Sequence, residues 1–217
     1  ASATPAIDPF ELSTSKLVFV CYVDGSDEIC VVNGDGSGEQ RLTYDPATDW
    51  YPSFSPDGRT IAFSSNRTAR SFDIYLMDVS GGNVRRLTSR HGDNYAPAFS
   101  PDGAWIVFAS TFGGRQDIWL MRVDGSDLTQ LTWTGSGNID PAWSPDGRLI
   151  SFGSNLTGRT ELYVMNADGS AVRQITFDMG IGGRNDWSPD GLMLTFYAGP
   201  SSDKNIYLVN ASGANLR

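Results

Sequence analysis

Cys21 and Cys30 are the first residues in this chain whose type and spacing could support chemistry. They flank the stretch Tyr22–Ile29, which reads as a hairpin. If Asp24–Asp27 form its four-residue turn, the two cysteines face each other directly, at a separation that suits a disulfide. Such a bond would imply an oxidising compartment; the alternative is a pair of small buried thiols. Hydrolysis by a serine needs a nucleophile, a base and an orienting acid. The single histidine, His91, lies in Arg90-His91-Gly92-Asp93, and no Gly-x-Ser-x-Gly elbow is present. His91 therefore reads as a loop residue, and no catalytic residue is expected. A zinc site needs three or four Cys, His or carboxylate ligands, which one histidine and two hairpin cysteines do not supply. Asn33-Gly34-Asp35-Gly36-Ser37-Gly38-Glu39 places oxygen ligands at alternate positions, as a calcium loop would, but lacks the bidentate Glu that closes one. The similar Asn166-Ala167-Asp168-Gly169 points to plain turn chemistry. No metal and no cofactor is expected. The acceptor-like triplets at Asn66, Asn155 and Asn210 read as turn residues.

The most frequent polar motif is Ser-Pro-Asp-Gly, at Ser55–Gly58, Ser100–Gly103, Ser144–Gly147 and Ser188–Gly191. Its carboxylates could serve a site. Recurrence at spacings of 45, 44 and 44 residues instead marks a structural turn, in which proline presets φ and glycine accepts a positive one. Each copy follows an aromatic residue (Phe54, Phe99, Trp143, Trp187), and a second aromatic stands nine residues after the first (Phe63, Phe108, Phe152, Phe196). Phe10 and Phe19 obey the same nine-residue rule, so Ile7-Asp8-Pro9-Phe10 opens a degenerate first unit. Within the second unit, four strands are expected near Tyr51–Ser55, Thr60–Ser65, Asp73–Asp78 and Val84–Thr88, from period-two alternation of β-branched and aromatic residues. Asp35-Gly36, Asp124-Gly125 and Asp168-Gly169 close third strands onto fourth.

Four antiparallel strands repeated at this period make a propeller blade, whose aromatic faces need neighbouring sheets to cover them. The fold expected is all-β, a β-propeller of about five four-stranded antiparallel blades. Residues 1–6 form an N-terminal arm or linker and residues 7–217 the propeller. In units two to four an apolar residue followed by Thr stands nine positions after the third strand (Leu87, Leu131, Ile175). Counting from Asn210 puts that residue two positions past Arg217, so the last strand is expected to be short. Either five blades close as a ring, which is the favoured arrangement, or a blade comes from elsewhere.

The stretch Trp143-Ser-Pro-Asp-Gly-Arg-Leu-Ile-Ser-Phe152, followed by Ser154-Asn155, Glu161–Ser170 and Arg173–Thr176, resembles the TolB-like β-propeller repeat family. The likeness runs through almost the whole chain. It implies a propeller that docks proteins or peptides outside the cytoplasm, or one that forms part of a larger hydrolase or sensor protein. The composition narrows the partner. A net charge of −9 disfavours nucleic acid, and no apolar run approaches the roughly 18–20 residues of a membrane span.

In propellers, partners usually meet the face where loops enter the innermost strands. Those positions precede the repeated aromatic here, and they differ from unit to unit while the turns stay alike. They are Asp49, Trp50 and Tyr51; Asn94, Tyr95 and Ala96; Asn138, Ile139 and Asp140; Gly183, Arg184 and Asn185. Trp50, Tyr51 and Tyr95 could anchor a partner or pack between blades. Asp49, Asp140 and Arg184 could orient a peptide end or a polar ligand. The reading is a non-enzymatic, extracytoplasmic (periplasmic or secreted) binding propeller with a protein or peptide partner at its channel mouth. Two alternatives stand beside it: self-association, one chain completing another by strand exchange, and a small glycoside- or lactone-cleaving enzyme. The last would need convergent carboxylates or a metal in the channel, and no such cluster is visible.

Overall fold

The computed structural model describes residues 15–68, 71–89, 92–199 and 203–217. Ile7–Phe10 and His91, discussed above, lie outside them. The described chain forms five antiparallel sheets arranged as a five-bladed β-propeller, without a helix among the described residues. Blade 1 holds β1 (Lys16–Val23), β2 (Ser26–Asn33) and β3 (Gln40–Arg41). Blade 2 holds β4 (Asp49–Phe54), β5 (Thr60–Ser65), β6 (Asp73–Asp78) and β7 (Arg85–Arg86). Blade 3 comprises β8 (Asn94–Phe99), β9 (Trp105–Ser110), β10 (Asp117–Arg122) and β11 (Thr129–Gln130). Blade 4 comprises β12 (Asn138–Trp143), β13 (Leu149–Ser154), β14 (Glu161–Asn166) and β15 (Arg173–Gln174). Blade 5 has β16 (Ile181–Trp187), β17 (Met193–Ala198) and β18 (Asn205–Asn210).

Every blade is a meander in which neighbours in sequence are neighbours in the sheet. The expected first three strands of blade 2 are present, although the first starts at Asp49 and the fourth shrinks to Arg85–Arg86. Blade 1 shows three strands among the described residues. In blade 5, Arg217 exchanges both backbone hydrogen bonds with Leu208, at 2.8 and 2.9 Å. That is the pairing Arg173 makes with Val164 in blade 4.

The core lies in the seams between blades. Ile29 and Val31 of blade 1 meet Phe63 and Tyr75 of blade 2. Ile74 and Leu76 of blade 2 meet Phe108 and Trp119 of blade 3, and Ile118 of blade 3 meets Phe152 and Tyr163 of blade 4. Leu162 and Val164 of blade 4 meet Leu194 and Phe196 of blade 5. Each blade thus presents an aromatic face backwards and an aliphatic face forwards. The repeated second-strand aromatic sits on the backward face, stacked on its cross-strand partner: Phe63 on Tyr75 at 5.8 Å and Phe152 on Tyr163 at 5.7 Å.

The first hairpin corrects one expectation. Its turn is Asp24-Gly25, with φ of 55° and 90°, rather than Asp24–Asp27. Positive φ at both central residues is the type I′ turn that Asp-Gly favours. The register therefore sets Cys21 opposite Glu28 and Cys30 opposite Phe19. The cysteines are diagonal neighbours on one face, not directly opposed. Their Cα atoms are 5.8 Å apart, and the sulfurs are joined as a disulfide.

Candidate functional site at the channel mouth

Each described inner strand carries an irregularity at the same level. The pairing of β4, β8, β12 and β16 with the second strand of its blade is interrupted, between Trp50 and Ser53, Tyr95 and Ala98, Ile139 and Ala142, and Ile181 and Asn185. At each interruption one non-glycine residue adopts a left-handed conformation: Tyr51 (φ 55°), Ala96 (52°), Asp140 (49°) and Arg184 (30°). Such backbone costs of order 1–3 kcal/mol per residue and persists where the surroundings hold it. A bulge bends the strand and re-aims one side chain. Here it aims one residue per blade into a common cavity of about 330 Å³, walled by Pro52, Pro97 and Pro141 with Asn185 at one side. The four positions are equivalent in the repeat but differ in chemistry: a phenol, a methyl, a carboxylate and a guanidinium.

The polar groups of this cavity come from three blades. Asp140 Oδ2 accepts the backbone N–H of Arg184 at 2.8 Å, and the Asp140 carbonyl accepts Asn185 Nδ2 at 2.8 Å. Asn185 Oδ1 accepts the Ser151 hydroxyl. Burial pushes the Asp140 carboxyl above its ordinary value, against the opposing pull of the Arg184 N–H and charge. The close approach requires Gly183: a Cβ there would stand 2.4 Å from Asp140 Oδ2, and its φ is +94°. The Arg184 guanidinium lies over the Tyr51 ring, 4.8 Å from its centroid. Burial raises the Tyr51 phenol first and the nearby Asp140 charge second, while Arg184 opposes them.

The other residues expected at this mouth divide into two groups. Trp50 and Tyr95 belong to an aromatic ladder beside the cavity. Trp50 stacks on Phe72 at 4.8 Å, Phe72 meets Tyr95 at 5.1 Å, and Tyr95 meets Tyr51 at 6.1 Å. Trp50 Nε1 donates to Asp27 Oδ2 at 2.8 Å, so the ladder ties blades 1, 2 and 3 together. Both rings are half-buried. Burial and the Asp93 carboxylate push the Tyr95 phenol up to about 12. Ile139 is half-buried, packed against Gly153 and Gly183.

Asp49, Asn94 and Asn138 are buried, and their side chains face inward. Asn138 Nδ2 donates to Asp117 Oδ1 at 2.8 Å, and Asn94 Nδ2 reaches Asp73 Oδ1 at 3.3 Å. Asp49 stands in the same repeat position and takes the Arg67 guanidinium at 2.7 Å. These residues belong to a device the spacing argument missed. In blades 1 to 4 a buried carboxylate stands at or near the start of the strand before the short outer one: Glu28, Asp73, Asp117 and Glu161. Each receives the hydroxyl of the Thr that follows the fourth strand (Thr43, Thr88, Thr132, Thr176) at 2.6–2.7 Å. The signal was in the sequence as an acidic residue fifteen positions before Thr43, Thr88, Thr132 and Thr176.

Five radial sheets around a side-chain-lined mouth define a β-propeller with an axial pocket. The chain belongs to the TolB beta propeller domain family, whose model matches residues 2–94, 69–143 and 87–217. A curated relative, the Protein TolB homolog of Chlorobium chlorochromatii, is 40% identical over 62 residues, 29% of this chain and 14% of that protein. The crystal structure of TolB from Acinetobacter baumannii superposes with a TM-score of 0.81 at 22% identity, over 95% of this chain and 53% of the other. Putative TolB from Agrobacterium tumefaciens gives 0.72 at 29% identity, over 89% and 70%. A puromycin hydrolase structure shares the fold, with a TM-score of 0.69 at 16% identity over 88% of this chain and 32% of its own. The chain thus spans about half of the Acinetobacter TolB structure and a smaller share of the curated relative.

Proposed function

We propose that this chain is a non-enzymatic binding propeller that engages a protein or peptide partner at its channel mouth. The observation that carries the reading is the set of four left-handed bulge residues, which present unlike side chains from four blades into one cavity. Strained backbone repeated at one level of the fold, with variable chemistry on it, fits a recognition ring better than a packing requirement. Among the described residues no group of three or more metal-ligating side chains converges. The carboxylate in the cavity, Asp140, is bound to backbone rather than set opposite a second acid. The partner face comprises Tyr51, Asp140, Arg184 and Asn185, flanked by Trp50, Tyr95 and Ile139.

A photo-crosslinking residue at Tyr51 should trap a partner that one at Val84, exposed on the outer strand side, does not. Arg184→Ala combined with the crosslinker at Tyr51 should lose that adduct. Equal adducts at both positions, or none, would sink the reading. We further propose an extracytoplasmic location, supported by family membership and by the Cys21–Cys30 pairing. Mass spectrometry of the protein taken from its host without reductant should show two fewer hydrogens than the dithiol form. A second reading, as the propeller part of a larger hydrolase or sensor, draws support from the 32% share of the puromycin hydrolase chain that this fold accounts for.

A further inference from the structure

Resting on that binding role, we infer that the axial cavity selects a peptide segment bearing a single carboxylate, which docks on the Arg184 guanidinium. The argument is an accounting of charges. Arg41, Arg67 and Arg86 each hold a buried carboxylate at 2.5–2.7 Å: Glu28, Asp49 and Asp73. Arg184 holds none. Among the described residues no carboxylate oxygen lies within 4.0 Å of its guanidinium nitrogens, and no side-chain hydrogen bond leaves it. Its plane is supported by the Tyr51 ring, which leaves the fork of N–H groups to be answered by a ligand.

Among the residues lining the cavity no second cation competes for that carboxylate. Asp140 Oδ2 accepts the Arg184 backbone N–H while its charge acts on the guanidinium from beyond ion-pair distance, and Asn185 spends its amide on the Asp140 carbonyl and its oxygen on Ser151. Pro52, Pro97 and Pro141 have no N–H to offer and line the cavity with apolar rings. Asp186 stands exposed at the rim with one oxygen on its neighbour's N–H. It would repel a second negative charge, as would the chain's net charge of −9. The chemistry that fits is one carboxylate on an otherwise neutral, partly apolar stretch. A chain terminus and an Asp or Glu side chain both offer it.

Three pools of N-acetylated tetrapeptides of neutral residues decide the matter: free acids, C-terminal amides, and amides carrying one Glu. Binding is followed by nuclear magnetic resonance at Tyr51, Asp140 and Arg184. The acid pool, the Glu pool or both should bind about tenfold tighter than the plain amides, as expected for a charge-assisted hydrogen bond. Which of the two does so names the source of the carboxylate. Arg184→Gln should erase the difference, while Arg184→Lys should keep part of it. If all three pools shift the channel resonances equally, the carboxylate inference falls and the binding role stands. If no pool shifts them, both fall. The comparison on the native chain decides even where a variant fails to fold.

Discussion

At the scale of single residues, the Ser-Pro-Asp-Gly turns show a carboxylate used as a structural acceptor. In blade 3 the Ser100 hydroxyl donates to Asp102 Oδ1 at 2.5 Å, and the Ala104 N–H reaches the same oxygen at 3.0 Å. Ser100 Oγ in turn accepts the Trp105 N–H at 3.0 Å, closing the turn onto the next strand. The serine bond first, and the backbone bond second, hold the Asp102 carboxyl below the ordinary carboxylate value. A folded-state value below the unfolded one stabilises above the unfolded value, near pH 4, and is lost as pH falls through the folded one. Ser100→Ala should therefore raise the Asp102 titration point towards the ordinary value and shrink this acid-side contribution, read from the carboxyl carbon shift. An unmoved titration would refute the assignment. A stronger single-residue effect is expected at Arg67. Its guanidinium pairs with Oδ2 of Asp49, which is fully buried, and with Asp45 at 3.1 Å, while Asp49 Oδ1 has no hydrogen-bond partner among the described residues. Arg67→Gln leaves a buried charge unanswered and should cost about 3–5 kcal/mol in chemical denaturation. Asp49→Asn in the same chain should recover much of that loss, because it restores the asparagine found at this position in blades 3 and 4. No recovery would mean that Arg67 acts through packing over Phe63 and Tyr75 instead.

At the scale of strands and blades, the second-strand aromatics are the main source of cohesion. Phe108 is buried in the seam with blade 2, among Ile74, Leu76 and Trp119. Phe108→Ala should cost about 3–5 kcal/mol, a large part of the roughly 5–15 kcal/mol that holds a domain of ordinary stability. A loss below about 1 kcal/mol in equilibrium unfolding would show that the seam is not packed as described. These elements were legible because their signals are local and repeat. The nine-residue aromatic pair reports a hairpin, and Pro-Asp-Gly reports its turn. The first hairpin turns one residue earlier than opposed cysteines would require, because Asp24-Gly25 is itself a type I′ signal. The channel mouth was legible only in part. Position in the repeat set Tyr51, Asp140 and Arg184 at equivalent points of their units, and all three line one cavity. It could not tell them from Asp49, Asn94 and Asn138, two residues earlier, whose side chains turn inward, the asparagines to carboxylates of the preceding blade and Asp49 to Arg67. That distinction depends on a bulge, and the chain carries no composition signal for it beyond the prolines that follow three of the four left-handed residues.

At the scale of the whole molecule, the repeat makes the two end blades unlike the three between them. Forward-facing Ile74, Ile118 and Leu162 are fully buried by the following blade, whereas Ile206, their equivalent in blade 5, is 81% exposed. The backward face differs in the same sense: Ile61, Ile106, Ile150 and Leu194 are fully buried, whereas Leu17 is 59% exposed. One side-chain type at one repeat position thus has two energetic roles, set only by whether a neighbouring sheet covers it. Burying such a side chain is worth about 1.5–3 kcal/mol, so the equivalent substitution should give opposite outcomes along the array. Ile118→Asp should prevent folding, because it places a charge in the seam with blade 4. Ile206→Asp should leave the unfolding free energy within about 0.5 kcal/mol of the parent, and should reduce binding of an apolar fluorescent dye by removing an exposed apolar contact. The two measurements together check the arrangement of the whole array. Should Ile206→Asp cost as much as Ile118→Asp, the forward face of blade 5 is covered in solution and the seam continues past it.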